Sequence, residues 1–206
     1  MPQEVNLKHG RGVTVQERAV LQLVGARVVQ NREAGLTALE QANLRCVGAW
    51  IEATAPTEAN GFRGEGLSLG KGSVGSLAAI LLRGNHGVAL EADNSQFAAQ
   101  GVVIHSTEWG EFFRVDGDGT PVSKFKLADG IVLNGPANAA IDGALLAGNQ
   151  RAGILIHFSP GANVSRSVVY AGTGLFGLPS TAGRMAGGTR GARCKRGGPP
   201  QGWACG

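Results

Sequence analysis

The sequence predicts an all-β chain, a parallel β-helix solenoid of about six coils of ~23 residues, on three observations. A seven-residue segment recurs along the chain. A glycine-led apolar–x–apolar triplet recurs in phase with it. A third short alternation falls just before the seven-residue segment in each unit.

The seven-residue segment reads GARVVQN at 25–31, GAWIEAT at 48–54, AILLRGN at 79–85, GVVIHST at 101–107, GALLAGN at 143–149 and RSVVYAG at 166–172. Start-to-start intervals are 23, 31, 22, 42 and 23, so two units exceed the common period, as insertions would. The glycine-led triplets are Gly12-Val13-Thr14-Val15, Gly66-Leu67-Ser68-Leu69, Gly87-Val88-Ala89-Leu90, Gly130-Ile131-Val132-Leu133 and Gly153-Ile154-Leu155-Ile156, with Gly35-Leu36-Thr37-Ala38 a weaker copy. The third alternation is Leu21/Leu23, Leu44/Cys46, Phe97/Ala99, Ala139/Ile141 and Ala162/Val164, with Gly75/Leu77 its degraded member. Alternation of period 2 marks strands with one buried face. Gly, Asn, Ser and Pro stand between the segments and form the turns. One coil cannot bury its apolar face alone, so stacking supplies the core.

Composition agrees. A chain of 206 residues with 43% hydrophobic residues can bury a core. The 34 glycines fit many tight turns, and no collagen-like period of three accompanies them. The net charge is +4, but Arg184, Arg190, Arg193, Lys195 and Arg196 supply five positive charges in residues 176–206, where no acid occurs. Removing them leaves the first 175 residues at −1. The body therefore lacks the charge of a nucleic-acid-binding surface. Three cysteines exclude a dense disulfide scaffold. Cys46 lies at an apolar repeat position and reads as a buried free thiol, and Cys194 and Cys205 are available to pair. No stretch reaches the ~18 apolar residues of a membrane span, and Met-Pro-Gln-Glu-Val does not open a signal peptide.

Three regions follow: an incomplete N-terminal coil at 1–11, repeats at 12–172, and a Gly/Arg/Pro-rich basic tail at 173–206, read as disordered. The tail lacks periodicity. Its composition also fits out-of-frame translation of a sequence that once continued the coils, which the neighbouring reading frames of the gene would reveal. Uncapped coil ends predict self-association.

Over residues 12–172 the chain resembles the right-handed, pectin-lyase-like β-helix family of secreted carbohydrate-acting and surface proteins. The resemblance implies a right-handed solenoid, an extracellular or cell-envelope location, and an internal asparagine ladder at Asn31, Asn85 and Asn149. Thr54, Thr107 and Gly172 would interrupt that ladder.

Both insertions follow the seven-residue segment and precede the next Gly-led strand. They are residues 55–65 in coil 2 and the stretch through 108–129 in coil 4, while coil 3 turns this corner at Asn85-His86. Stacked strands lie about 4.8 Å apart, so the two loops would flank a notch about 10 Å wide. Its candidate walls are Glu58, Arg63 and Glu65 on one side and residues from Trp109 to Asp129 on the other, with Arg83 and His86 as floor. Arg63, Arg83, His86, Trp109, Glu111, Phe112 and Arg114 are the candidate ligand-binding set. Aromatic faces flanked by charges suit sugar rings; equally, Trp109, Phe112 and Phe113 would pin the long loop to the solenoid.

His86 is the candidate acid or base. Family polygalacturonases carry Gly-His-Gly beside paired aspartates, whereas this chain has Asn85-His86-Gly87 and no Asp-Asp pair. Inverting glycosidases need two carboxyls across the scissile bond, and the repeat does not align two on adjacent coils. Asp116 and Asp118, in Asp116-Gly117-Asp118-Gly119, are the candidate calcium ligands; the same residues also make a hairpin tip. Otherwise no cofactor is implied. His105 and His157 read as outward-facing strand residues.

The leading reading is a non-catalytic extracellular scaffold or glycan-binding solenoid, a stretch of a longer protein. One alternative is a polysaccharide lyase or glycoside hydrolase with its groove at coils 2–4. A second is a protein-binding solenoid, which predicts an exposed apolar strip and finds candidates in Val132 and Leu155.

Overall fold

In the computed structural model the described residues are 10–57, 63–115, 121–170, 174–177, 194–195 and 204–205, with 113–115, 121–123 and everything beyond 170 described by backbone alone. The expectations for residues 1–9, Glu58, Asp116, Asp118 and most of the tail lie outside them, as do the side chains of Phe113 and Arg114. No helix among the described residues is long and apolar enough to cross a membrane.

The chain is an all-β parallel solenoid with three faces. The first face stacks Val13–Val15, Ala34–Ala38, Glu65–Leu69, Gly87–Asp93, Pro121–Asn134, Ala152–His157 and Gly174–Gly177 in that order, all parallel. The second stacks Val20–Val24, Asn43–Val47, Val74–Ala78, Gln96–Gln100, Asn138–Asp142 and Asn163–Ser165. The third stacks Arg27–Val29, Trp50–Glu52, Leu81–Arg83, Val103–His105, Leu145–Ala147 and Val168–Val169, which define coils 1 to 6.

Each face sends a column of apolar side chains inward. Leu36, Leu67, Leu90, Ile131 and Ile154 line the first face, and Val28, Ile51, Leu82, Ile104 and Leu146 the third. Cys46 is buried and free between Leu23 and Leu77, and burial pushes its thiol up to about 11. Corners before and after the third-face strand use left-handed backbone: Gly25, Gly48, Gly101 and Gly143 before it, Gly84 and Gly148 after it. Ala79 and Gln30 take the same conformation at equivalent places. These glycines occupy corners that L side chains enter at a cost.

The interior ladder is discontinuous: side-chain bonds join coil 3 to coil 2 and coil 5 to coil 4, while Asn31 Nδ2, Thr54 Oγ1 and Asn149 Nδ2 are buried without a hydrogen-bond partner. Asn85 Oδ1 accepts the Thr54 amide at 3.1 Å, and its Nδ2 donates to the Ile51 carbonyl at 3.1 Å. Asn149 Oδ1 accepts both the amide and the hydroxyl of Thr107, at 3.3 and 2.6 Å. Asparagine and threonine alternate, and Asn85 and Asn149 each tie themselves to the threonine of the preceding coil. At Thr107 the hydroxyl serves as a donor within the rung, whereas Thr54 takes part through its amide alone.

Register at coil 3 differs from the sequence alignment by two residues. Leu67 pairs with Leu90 and Ser68 with Glu91, so Ala89-Leu90-Glu91-Ala92 is the counterpart of Gly66-Leu67-Ser68-Leu69. Gly87 does not lead the inward triplet. Its φ is +76°, and a Cβ there would lie 2.4 Å from the Phe112 ring. Val88 points outward instead, into a small cluster with Phe112 and Val132.

Candidate functional site

The second insertion folds as an antiparallel hairpin, Gly110–Val115 against the start of Pro121–Asn134. Its root is fastened to coil 3. Gly87 N donates to Glu108 O at 2.8 Å, Glu108 N to Asn85 O at 2.9 Å, and His86 forms a parallel bridge with Glu108. From the other loop, Gly64 O accepts the His86 amide at 3.0 Å, and Arg63 N donates to Glu111 O at 3.1 Å. The two walls therefore meet across the coil-3 turn. Backbone groups that leave the sheet at an insertion need new partners, and the opposite loop supplies them.

The sequence-derived candidates separate into three groups. Phe112 is 7% exposed, packed on Val88 and Val132 and stacked on Phe125 at 5.8 Å, so it pins the hairpin. Its cluster also buries Val132, at 2% exposed, and packs against Leu155. The apolar strip looked for at those positions is covered, because the hairpin laid across the first face needs an apolar base. Arg83 lies on the third face, away from the loops' meeting point, with its guanidinium 2.6 Å from Glu52.

His86, Trp109, Glu111 and Arg63 do come together. His86 Nδ1 is 3.2 Å from the Trp109 carbonyl and Nε2 is 3.5 Å from a Glu108 carboxylate oxygen. The Trp109 amide donates to Gln150 Oε1 at 3.2 Å, and its indole is 47% exposed. Glu111 is ion-paired with Lys124 and lies 3.9 Å from Lys126. Trp109 is thus held by its backbone on two sides, next to the His86–Glu108 and Glu111–Lys124 pairs.

Beside this site stand Glu65, already a candidate wall residue, and Glu91 and Glu33, which the sequence reading passed over. On the outer side of the first face, Glu65 (1% exposed) and Glu91 are hydrogen-bonded carboxyls from adjacent coils. Burial raises Glu65 above the ordinary carboxylate range, with Arg63, 3.6 Å away, opposing. Burial raises Glu91 well above it, and the Glu65 charge adds to the rise. Glu33, 3% exposed, lies near them and binds Arg11 at 2.7 Å. The sequence signal for Glu91 was its place one coil beyond Ser68, hidden by the two-residue register difference at coil 3.

Carboxylates on the other faces behave oppositely. Glu52 takes Arg27 at 2.5 Å and Arg83 at 2.6 Å from the coils on either side, and the Arg27 hydrogen bond lowers its pKa first. Asp142 is lowered by the Arg166 hydrogen bond. Asp129, fully buried on the first face, is raised by burial although Arg151 and the Ala152 amide bind it. Among the described residues no group of three or more His, Cys, Asp or Glu is placed to hold a metal ion. Comparison of the chain with protein-family models, with curated proteins and with solved structures returns no match.

Proposed function

We propose that this chain is a stretch of extracellular or cell-envelope β-helix, right-handed and pectin-lyase-like, that binds polysaccharide without cleaving it through the paired loops of coils 2 and 4. The supporting observation is Trp109. Its indole is half exposed while its own amide and carbonyl are both bonded, to Gln150 and His86. A backbone already held in place loses little freedom on binding, and His86, Glu108, Glu111 and Lys126 in the same loops offer hydrogen bonds to hydroxyl edges. His86 holds the indole's backbone in this reading rather than moving a proton. The carboxyl pair argues for binding over hydrolysis. Hydrogen-bonded carboxyls are closer than the ~5 Å that a retaining glycosidase leaves between them, and Glu65 is buried.

Retention on a panel of acidic and neutral polysaccharides, with and without calcium, tests this. Retention without new reducing ends or unsaturated products, lost in Trp109→Ala, is the expected result. Cleavage abolished by His86→Ala would make the chain an enzyme and overturn the reading. Dependence on calcium would bring Asp116 and Asp118 back as ligands.

A second reading, protein binding, draws on the third face. Trp50, Leu81, Val103, Leu145 and Val168 stack outward in register, with Trp50, Leu145 and Val168 more than a third exposed and Tyr170 beside them at 59%. Self-association is a further proposal. Leu21 and Leu23 of the first second-face strand are only partly buried, whereas Leu44 and Cys46 below them are sealed.

A further inference from the structure

Three glutamates from successive turns of the solenoid converge on the outer side of the first face. Glu33 precedes Ala34–Ala38, Glu65 begins the next strand, and Glu91 lies in Gly87–Asp93. Pairing of Ser68 with Glu91 places Glu65 one coil over and diagonal to Glu91. Their side chains are hydrogen-bonded to each other. Ionised carboxylates only accept hydrogen bonds, so this contact needs a proton on one of them. The groups facing the pair are few. Arg63 stands 3.6 Å from Glu65 Oε2, which makes no hydrogen bond within 3.5 Å. The Ser68 hydroxyl binds Glu65, and the Asn134 amide lies 3.5 Å from Glu91 Oε1. Glu33 and Asp93 add negative charge from either side, Glu33 with Arg11 bound to it. The next acid on this face, Asp129, is paired with Arg151.

We propose that Glu65 and Glu91 hold one proton between them, and that this shared proton latches the loop pair that carries Trp109. The functional half of the proposal rests on the binding reading above. The link is the strap at residues 63–65. Gly64 N and Glu65 N both donate to Glu33 O, Gly64 O accepts from His86 N, and Arg63 N donates to Glu111 O at the base of the hairpin. With the proton present, Glu65 stays buried and the strap joins coil 1, coil 3 and the hairpin. Loss of the proton leaves two adjacent carboxylates in a buried setting, which drives Glu65 toward water and carries the strap with it.

The sign follows from the acids' direction of shift. Both folded-state values lie above the unfolded ones, so above the ordinary carboxylate range the folded chain binds more protons than the unfolded chain. Stability is greatest on the acid side of that window and falls as pH rises through it. One proton corresponds to about a tenfold change in the unfolding constant per pH unit.

The test is an infrared titration in D2O of wild type, Glu65→Gln and Glu91→Gln from about pH 5 to 9, with melting temperatures and polymer retention on the same samples. Wild type is expected to keep a protonated carboxyl to higher pH than either variant. Its melting temperature is expected to fall with pH, while that of Glu91→Gln stays nearly level. No protonated carboxyl in wild type above about pH 6 overturns the shared proton, and this readout stands even if a variant does not fold. Retention that weakens at high pH in wild type and not in Glu91→Gln supports the latch; the same pH dependence in both overturns it. A titrating carboxyl with no retention at any pH removes the glycan reading and the latch, and leaves the shared proton intact.

Discussion

The first and third faces share one backbone plan and treat their acids in opposite ways. On the third face Glu52 is covered by arginines from the coils on each side, which bind both of its oxygens. On the first face the outward surface is covered as well, with Ala34–Ala38 and Glu65–Leu69 buried along their whole length. There burial outweighs the nearest arginine at Glu65 and at Asp129. Stacking at about 4.8 Å brings a partner within reach on either face. What decides the direction of the shift is whether the flanking arginines outweigh burial: Glu52 is only 5% exposed, yet the Arg27 hydrogen bond lowers it more than burial raises it.

The largest effect should come from the shared core, where the faces do not differ. Ile104→Ala removes a fully buried side chain from the third-face column and should cost about 2–5 kcal/mol, read from the denaturant midpoint. Next comes the ladder. Asn85→Ala leaves the Thr54 amide and the Ile51 carbonyl without their partner inside the solenoid, a loss of about 1–3 kcal/mol by the same measurement.

The pH dependence separates the faces directly. Glu52 has a folded value below its unfolded one, so its contribution is present above the unfolded carboxylate range and is lost as pH falls through the folded value. Thermal melts of Glu52→Gln should lose the acid-side decline that wild type shows, whereas Glu91→Gln should lose the decline on the opposite side. Identical profiles for the two variants would erase the distinction between the faces. The smallest effect belongs to Trp109→Ala. The indole is half exposed, so melting should shift by no more than about 0.5 kcal/mol while polymer retention disappears.

Much of this was readable in the sequence because period 2 assigns the inside and outside of the second- and third-face strands. Val28, Ile51, Leu82, Ile104 and Leu146 stand at one offset in the seven-residue segment, and all five are buried. Cys46 followed from the same rule. The reading failed at Gly87, where a glycine before apolar residues looked like the start of another triplet. A positive φ under the Phe112 ring made it a corner instead and moved the register by two residues. The notch failed for a related reason. Loop lengths said where the insertions leave the coil, but not that Arg63 and Glu111 would join their backbones across it.

By itself the sequence determined the three-faced parallel stack, because spacing alone decides which side chains share an interior column. Tertiary structure decided which outward surfaces are covered, which arginine reaches which acid, and that Glu65 meets Glu91. Those contacts depend on where two inserted loops fold back, and a repeat period carries no information about the path of residues outside the repeat.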